Sequence, residues 1–561
     1  MKIPRLSEMQ IHEPSVGAVE AAYADLLVKL DRADSAEAQI AVIEEWNRLR
    51  VEHDTWRSLV HLRFNQDTEN ADYKRAREYC DEITPKLIEV QVEMKRRLLK
   101  SPFQPAIEAR FGAQLFALWK CDLASFEPVI ADDLVAEAKL EAEYTELSGG
   151  ARFPFRGETL NLSSVRKYQT SPDRQTRHDV LEAQWGWFEQ NGETLDDLYD
   201  RLVKLRTSMA RKLGYDNYVP LGYARMGRVD YNQADVDRYR RQVRDHVVPL
   251  AAKIRAAQAK RLGLEKLNLW DEPLHDLGGN PAPKGDRAWM VDRATEMFDA
   301  MHPELAGLFR LMNDRELLDL DTRDGKSPGG FCTGLPVWGV PFIFANFTGT
   351  KHDSEVFTHE MGHAFQAWQS RNQPVIDYHW PTSDGAEIHS MSLEFLCMPY
   401  IDKFFGDDAA RFDRVHLIES ILFLPYGVAV DHFQHLVYAS PDATPAERHA
   451  MWREMEKTYL PWRDHGDIGY TRKGGLWQNQ RHIYLAPFYY IDYTLAQVCA
   501  LQFWVRSKAD YGKALADYVT LCERGGSLPF QSLARSAGLI SPFDEGCLND
   551  VVDEAARVLD L

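Results

Sequence analysis

The sequence predicts a mainly α-helical fold in more than one lobe, interrupted by one small β-hairpin. Three observations carry this. The chain has 561 residues, too many for one ordinary core, so two or three lobes are expected. Apolar residues recur at spacings of three and four through most of its length. One stretch alone, Phe331 to Phe347, is both β-prone and bounded by turn formers.

In chain order, Val19, Tyr23, Leu26, Leu27 and Leu30 mark a first amphipathic helix. A long run through Ile83, Leu87, Val90, Val92 and Met94 turns basic at Lys95-Arg96-Arg97, which suits a helix C-terminus and reads as a solvated face. Gly149-Gly150 with Pro154 marks a break. Helices resume over Leu202–Leu213, where Gly214-Tyr215-Asp216-Asn217-Tyr218 reads as a C-cap and turn, and over Val236–Lys260. Gly278 to Pro283 and Asp321 to Gly330 are loops. Phe331, Thr333, Leu335 and Val337 alternate, and Pro341 to Phe347 completes a hairpin whose outer edge can take an extended peptide by main-chain hydrogen bonds. The expected division is a helical N-terminal domain, 1–200, and a second domain, 201–561.

The formal net charge is −19, and no long basic stripe accompanies it, which argues against a nucleic-acid partner. The seven cysteines are scattered without metal-ligand spacing and suit a reducing compartment better than a disulfide framework. Met1-Lys2-Ile3-Pro4-Arg5 lacks the apolar core of a secretion signal, and no run of eighteen apolar residues occurs. A soluble, cytoplasmic protein with no membrane association is expected.

The most informative stretch is His359-Glu360-Met361-Gly362-His363. Residues four apart on a helix lie one turn above each other, so both imidazoles can hold one Zn²⁺. Glu360 then stands beside the first ligand, placed to take a proton from a water on the metal. Ser354 is a candidate cap for this helix. A catalytic zinc usually has three protein ligands, and Asp384 to Leu396 offers the third. Gly385 reads as a break and Ala386 as the start of a second helix. Glu387 and Glu394, seven apart, share one face of it among Leu393, Phe395, Leu396 and Met398. Carboxylates buried there need a cation or a donor: zinc beside one, an imidazole N–H beside the other. Glu394 or Glu355 can accept that N–H. His389 competes as a ligand, although it lies roughly opposite Glu387 on the helix.

These residues, together with Gly329-Gly330-Phe331-Cys332, Pro341 to Phe347, and His482-Ile483-Tyr484 with Pro487 to Tyr493, resemble the thimet oligopeptidase superfamily of zinc metallopeptidases, in its oligoendopeptidase F branch. Phe155 to Leu160 and Ser171 to Arg174 resemble the branch's N-terminal region, so the likeness runs from about residue 150 to 500. It implies one Zn²⁺ per chain on His359, His363 and Glu387, with Glu360 as general base and Glu394 outside the ligands. It also implies that His482 and Tyr493 donate to the oxyanion of the tetrahedral intermediate. A second tyrosine donor does not align cleanly, because Pro487-Phe488-Tyr489-Tyr490 stands where thimet-type members are glycine-rich; Tyr484, Tyr489 and Tyr490 are its candidates. The implied fold is two helical lobes around a deep channel, with the hairpin beside the zinc helix. The implied activity is endopeptidase action on short, unstructured oligopeptides. The rival readings are a related dipeptidyl carboxypeptidase and a peptide-binding helical protein with a vestigial metal site. Oligomeric state is not legible.

Overall fold

The computed structural model describes residues 3–327 and 329–561, which form a mainly helical protein with two small β-sheets. Val16–Arg32 begins where the Ser15 hydroxyl accepts the Ala18 N–H, and it buries Val19, Tyr23, Leu26 and Leu30, as its periodicity requires. With Ala36–Gln66 and Ala71–Leu98 it closes a small core around Trp46 and Trp119, in which the Trp46 indole donates to the Tyr23 hydroxyl at 3.2 Å. The basic run is less free than its sequence suggests. Lys95, Arg96 and Arg97 pair with Asp122, Glu127 and Asp31 at 2.7, 3.0 and 2.6 Å, tying this helix to its neighbours.

Val375 and Tyr378, far downstream, belong to the same small core. The Tyr378 hydroxyl accepts the Leu115 N–H at 2.8 Å, and Arg50 pairs with Asp377 at 2.7 Å with both side chains nearly buried. The Thr55 hydroxyl also accepts the Val337 N–H at 3.0 Å. The N-terminal helices are thereby fastened to the hairpin and to the chain just after the zinc-motif helix.

The turn at Gly214 is a C-cap: its φ is +86°, and the Tyr215 N–H returns to the Ala210 carbonyl at 2.9 Å. The run expected over Val236–Lys260 is two helices, Gln233–Gln242 and Val248–Arg261, joined by a π-turn at Val243–Val247. A first, two-stranded sheet pairs β1 (Phe153–Phe155) with β2 (Glu158–Leu160) through a tight turn at Arg156-Gly157. The second sheet contains the expected hairpin, β4 (Phe331–Leu335) against β5 (Val340–Phe347), in the register Phe331↔Phe344 to Leu335↔Val340. It also has a third strand, β3 (Leu318–Asp321), parallel to β5 on its other side. The order β3-β5-β4 leaves β4 at the edge.

The zinc-motif helix runs Lys351–Ser370 and the following one Ser383–Cys397. Two expectations are corrected here. The first helix is capped by a Thr350–Asp353 box, with the Asp353 carboxylate accepting the N–H groups of Thr348 and Thr350 at 2.9 and 3.1 Å; Ser354 is buried inside the helix. Gly385 does not break the second helix but lies within its first turn. An added Cβ there would come within 3.1 Å of Leu533 and 3.2 Å of Pro381, so glycine serves packing rather than termination. Among the described residues no helix is long and apolar enough to cross a membrane.

Candidate active site

The two central helices meet at Gly362. A Cβ on this residue would lie 2.6 Å from both the His389 carbonyl oxygen and the Ser390 Cα, so only glycine admits this approach. It brings Glu387 of the second helix over the two histidines of the first. The imidazole rings are 5.0 Å apart, and the Nε2 atoms of His359 and His363 lie 3.3 and 3.5 Å from Glu387 Oε2. The three potential ligand atoms all fall within 4.8 Å of one another.

Whether these residues fit a metal follows from the protons. His359 Nδ1 lies 2.8 Å from Glu394 Oε1, so Nδ1 carries the hydrogen and Nε2 of the neutral ring presents a lone pair. That lone pair faces a carboxylate oxygen, an arrangement of two acceptors that calls for a cation between them. A proton can fill that place as well as a metal ion can. Burial pushes the Glu387 carboxyl up, but the two histidines outweigh it and hold it well below the usual range. Against burial, Glu387 and Glu394 hold His359 well above its own. An His₂Glu donor set is a hydrolytic-zinc set.

His389, the competing ligand, spends its nitrogens elsewhere: Nδ1 lies 2.8 Å from the Gly385 carbonyl and Nε2 3.4 Å from that of Leu521, and burial lowers its pKa to about 4. Glu394 touches His359, whereas Glu355 stands one residue further out. His416 lies between them, its Nε2 3.4 Å from Glu394 and its Nδ1 3.1 Å from Glu355. The array continues through Lys351, which pairs with Glu355 and with Glu419 at 2.6 Å, to His275, 3.1 Å from Glu419. His416 sits on the apolar helix Ala409–Ala439, and nothing in the sequence singled it out.

Glu360 is 6% exposed, and its Oε2 has no hydrogen-bond partner among the described residues. Burial raises its pKa, with the two histidines opposing. Gly330, just before β4, borders it: a Cβ there would lie 3.6 Å from Glu360 Oε1, in ordinary contact. On the other side the Trp380 ring stacks near His363, 5.6 Å away and tilted by 30°.

The late aromatic segment closes over Glu387. The Tyr489 hydroxyl donates to Glu387 Oε1 at 2.8 Å. The Tyr493 ring lies 4.9 Å from that of Tyr489, and His482 lies 5.8 Å from each. Tyr490 is 5.1 Å from His482 but also packs on Phe423 and Tyr426. Tyr484 lies in the core, stacked on Tyr144 at 4.1 Å with its hydroxyl on the Leu195 carbonyl. The His482 tautomer is set by a residue that sequence reasoning missed. Gln480 accepts the Tyr426 hydroxyl at Oε1 (2.9 Å), which leaves its Nε2 to donate to His482 Nδ1 (2.7 Å). His482 therefore carries its hydrogen on Nε2 as a neutral donor, and burial, with Arg481 nearby, lowers its pKa to about 4.

Phe488, next to Tyr489, has φ +68°, a left-handed conformation that costs a non-glycine residue about 1–3 kcal/mol. It is completely buried, its N–H held by Gln434 Oε1 at 3.0 Å, its carbonyl by Arg228.

Residues 6–126 match a family model described as the peptidase M3 N-terminal domain, and residues 167–276 and 295–552 match that of peptidase family M3. No curated protein matches the chain. Among solved structures it resembles Pz peptidase A in complex with an inhibitor, at 44% identity and TM-score 0.95 over 99% of both chains. A provisionally named oligoendopeptidase F is 47% identical, with TM-score 0.95 over 99% of both chains. Another, from Bacillus anthracis, is 41% identical with TM-score 0.90 over 99% of this chain and 98% of its own.

Proposed function

The chain belongs to peptidase family M3, in its oligoendopeptidase F branch, and from this we propose a zinc-dependent endopeptidase that cuts internal bonds of short, unstructured oligopeptides. The observation that carries the reading is the convergence of His359, His363 and Glu387 beside the unpaired Oε2 of Glu360. His359, His363 and Glu387 would hold the zinc ion, which would supply Lewis acidity toward the scissile carbonyl and lower the pKa of water.

The remaining work falls to the chain. Glu360 takes up the proton of the attacking water at its free Oε2 and returns it to the departing amine nitrogen; a pKa raised by burial favours holding that proton in between. Glu394 fixes the His359 tautomer from Nδ1. Tyr489 holds Glu387 by Oε1, so that Oε2 faces the two imidazoles. His482, through Nε2–H, and Tyr493 are neutral donors for the charge that develops on the carbonyl oxygen; each such donor is worth about 2.7–4 kcal/mol in the transition state. The substrate main chain lies along β4, the edge strand, which ends beside Gly330 and Glu360. A grip on backbone selects an extended peptide more than any one side chain. The N-terminal helix Ala36–Gln66 faces this strand, with Ser58 Oγ 3.4 Å from the Thr333 hydroxyl, and in this reading the N-terminal region, residues 1–200, walls a channel that folded proteins do not enter.

Hydrolysis of a quenched peptide of about ten residues should be abolished by a zinc chelator and restored by metal. Product masses should show internal cuts in a peptide blocked at both ends. Strict removal of C-terminal dipeptides would replace this reading with the carboxypeptidase one. No chelator-sensitive cleavage at all would leave a binding protein.

A further inference from the structure

Tyr489 reaches the metal triad directly after a residue in a left-handed conformation, Phe488, and one distant side chain fastens both ends of the segment that follows. Arg228 follows the short helix Tyr218–Arg225, more than 250 positions upstream in the chain. Its side chain is fully buried. The Nη2 of its guanidinium donates to the Phe488 carbonyl and, at 2.8 Å, to Asp492 Oδ1. Tyr489 lies between those two acceptors, and Tyr493 follows immediately. The guanidinium rests on the Tyr223 ring, 4.3 Å from its centroid, and near Tyr231. The Tyr231 hydroxyl in turn donates to Asp384 Oδ2 at 2.8 Å, three residues before Glu387. One buried cluster thus touches the segment carrying the tyrosines and the helix carrying the glutamate ligand.

Phe488 has little freedom to do otherwise. Its ring packs so closely on the Tyr218–Arg225 helix that a Cβ on Gly222 would fall 2.6 Å from it. Gln434 holds its N–H. Ring, N–H and carbonyl are each gripped by a different element, which is what keeps a left-handed phenylalanine in place. Without the carbonyl and carboxylate contacts, the turn relaxes toward ordinary φ, and Tyr489 and Tyr493 move with it.

We infer that Arg228 is a positioning residue for peptide hydrolysis: through Phe488 and Asp492 it sets where Tyr489 and Tyr493 hold their hydroxyls. This rests on the endopeptidase reading, because it needs tyrosines that act in the reaction.

The test is a double-mutant cycle. Arg228→Lys keeps the charge beside Asp492, but its ammonium ends one bond short of the Nη2 that donates to both acceptors. Its kcat should fall about a hundredfold, as for a catalytic group displaced by an ångström, with KM within about twofold and zinc content unchanged. In a Tyr489→Phe, Tyr493→Phe background the same substitution should cost almost nothing further. A purely structural arginine would lower the melting temperature and show the same fold-loss in both backgrounds, which overturns the inference. So does a normal kcat. If Arg228→Lys does not fold, Gln434→Met, which releases the Phe488 N–H, carries the same cycle with the same two outcomes. The wild type separates the two levels: no peptide hydrolysis there defeats the endopeptidase reading, whereas hydrolysis with an additive cycle defeats only the role of Arg228.

Discussion

Replacing Gly362 by alanine should damage the metal centre without altering any ligand. In an ordinary helix interior this change stabilises by roughly 0.5–1 kcal/mol, because alanine loses less backbone entropy. At Gly362 the new methyl would sit 2.6 Å from the His389 carbonyl oxygen and the Ser390 Cα, both main-chain atoms that cannot rotate away. Ordinary contact begins at 3.4 Å, so the helices must separate by about 0.8 Å. Overpacking of this kind costs about 1–3 kcal/mol. A separation of that size exceeds the roughly 0.5 Å within which a site must be held, and it moves Glu387 away from both imidazoles together. Zinc affinity should therefore fall at least tenfold, about 1.4 kcal/mol. The assay is competition for zinc against a chelator of known affinity, alongside chemical denaturation of the metal-free protein. Gly186→Ala is the control, since it lies within a helix with nothing inside 4 Å of the added methyl. A Gly362→Ala protein as stable as that control, with wild-type zinc affinity, would refute the close-approach argument.

Glu387→Gln should lower zinc occupancy measured by metal analysis, a neutral amide being a poor ligand; full occupancy would point to another third ligand. Glu360→Gln should keep its zinc yet show no turnover in the quenched-peptide assay, and an active, loaded variant would remove Glu360 as the base. Tyr493→Phe should cut kcat about a hundredfold or more with zinc and melting temperature unchanged, whereas near wild-type kcat would make its hydroxyl a packing feature. His482 is a depressed histidine, with a pKa of about 4 folded against 6.5 unfolded. The unfolded chain therefore binds the extra proton between those values, so the neutral ring's contribution to stability is complete above about pH 6.5 and is lost as pH falls toward 4. The stability difference between wild type and His482→Gln should shrink from pH 7.5 to pH 5; a constant difference would contradict the buried, neutral assignment.

The parts of the site legible in the sequence are those in which spacing implies geometry. His359 and His363 on one helical face, and Glu387 with Glu394 on another, follow from the helical repeat alone. The β4–β5 hairpin followed from alternation and turn formers. What remained hidden depends on contacts distant in sequence. β3 alternates, Leu318-Asp319-Leu320-Asp321, but it is only four residues long and half aspartate, a poor strand former, and it exists because β5 offers it a parallel edge. Gly385 reads as a break before the second helix because glycine is a poor helix former, but it lies inside that helix, where an added Cβ would crowd Leu533 and Pro381 at 3.1 and 3.2 Å. Tyr484, Tyr489 and Tyr490 are indistinguishable as letters in an aromatic run. They separate only when Tyr144 stacks on the first and Glu387 accepts from the second. Arg228, Gln434, Gln480 and His416 carry no motif, and each matters through the partner that the fold brings to it.

The chain order of the site has a consequence during synthesis. The proposed metal donors, His359, His363 and Glu387, precede the segment from His482 to Tyr493 by about a hundred residues. A ribosome adding about 5–20 residues per second takes several seconds or more to cover that distance. Through that interval the nascent polypeptide has all three proposed zinc ligands but lacks the Tyr489 hydroxyl that bonds Glu387 and the proposed oxyanion donors. Hydrolytic competence then arrives with the docking of Tyr490–Ala509 against Ser383–Cys397. In refolding, metal capture should accordingly precede the return of activity, and the lag between them would time that docking step.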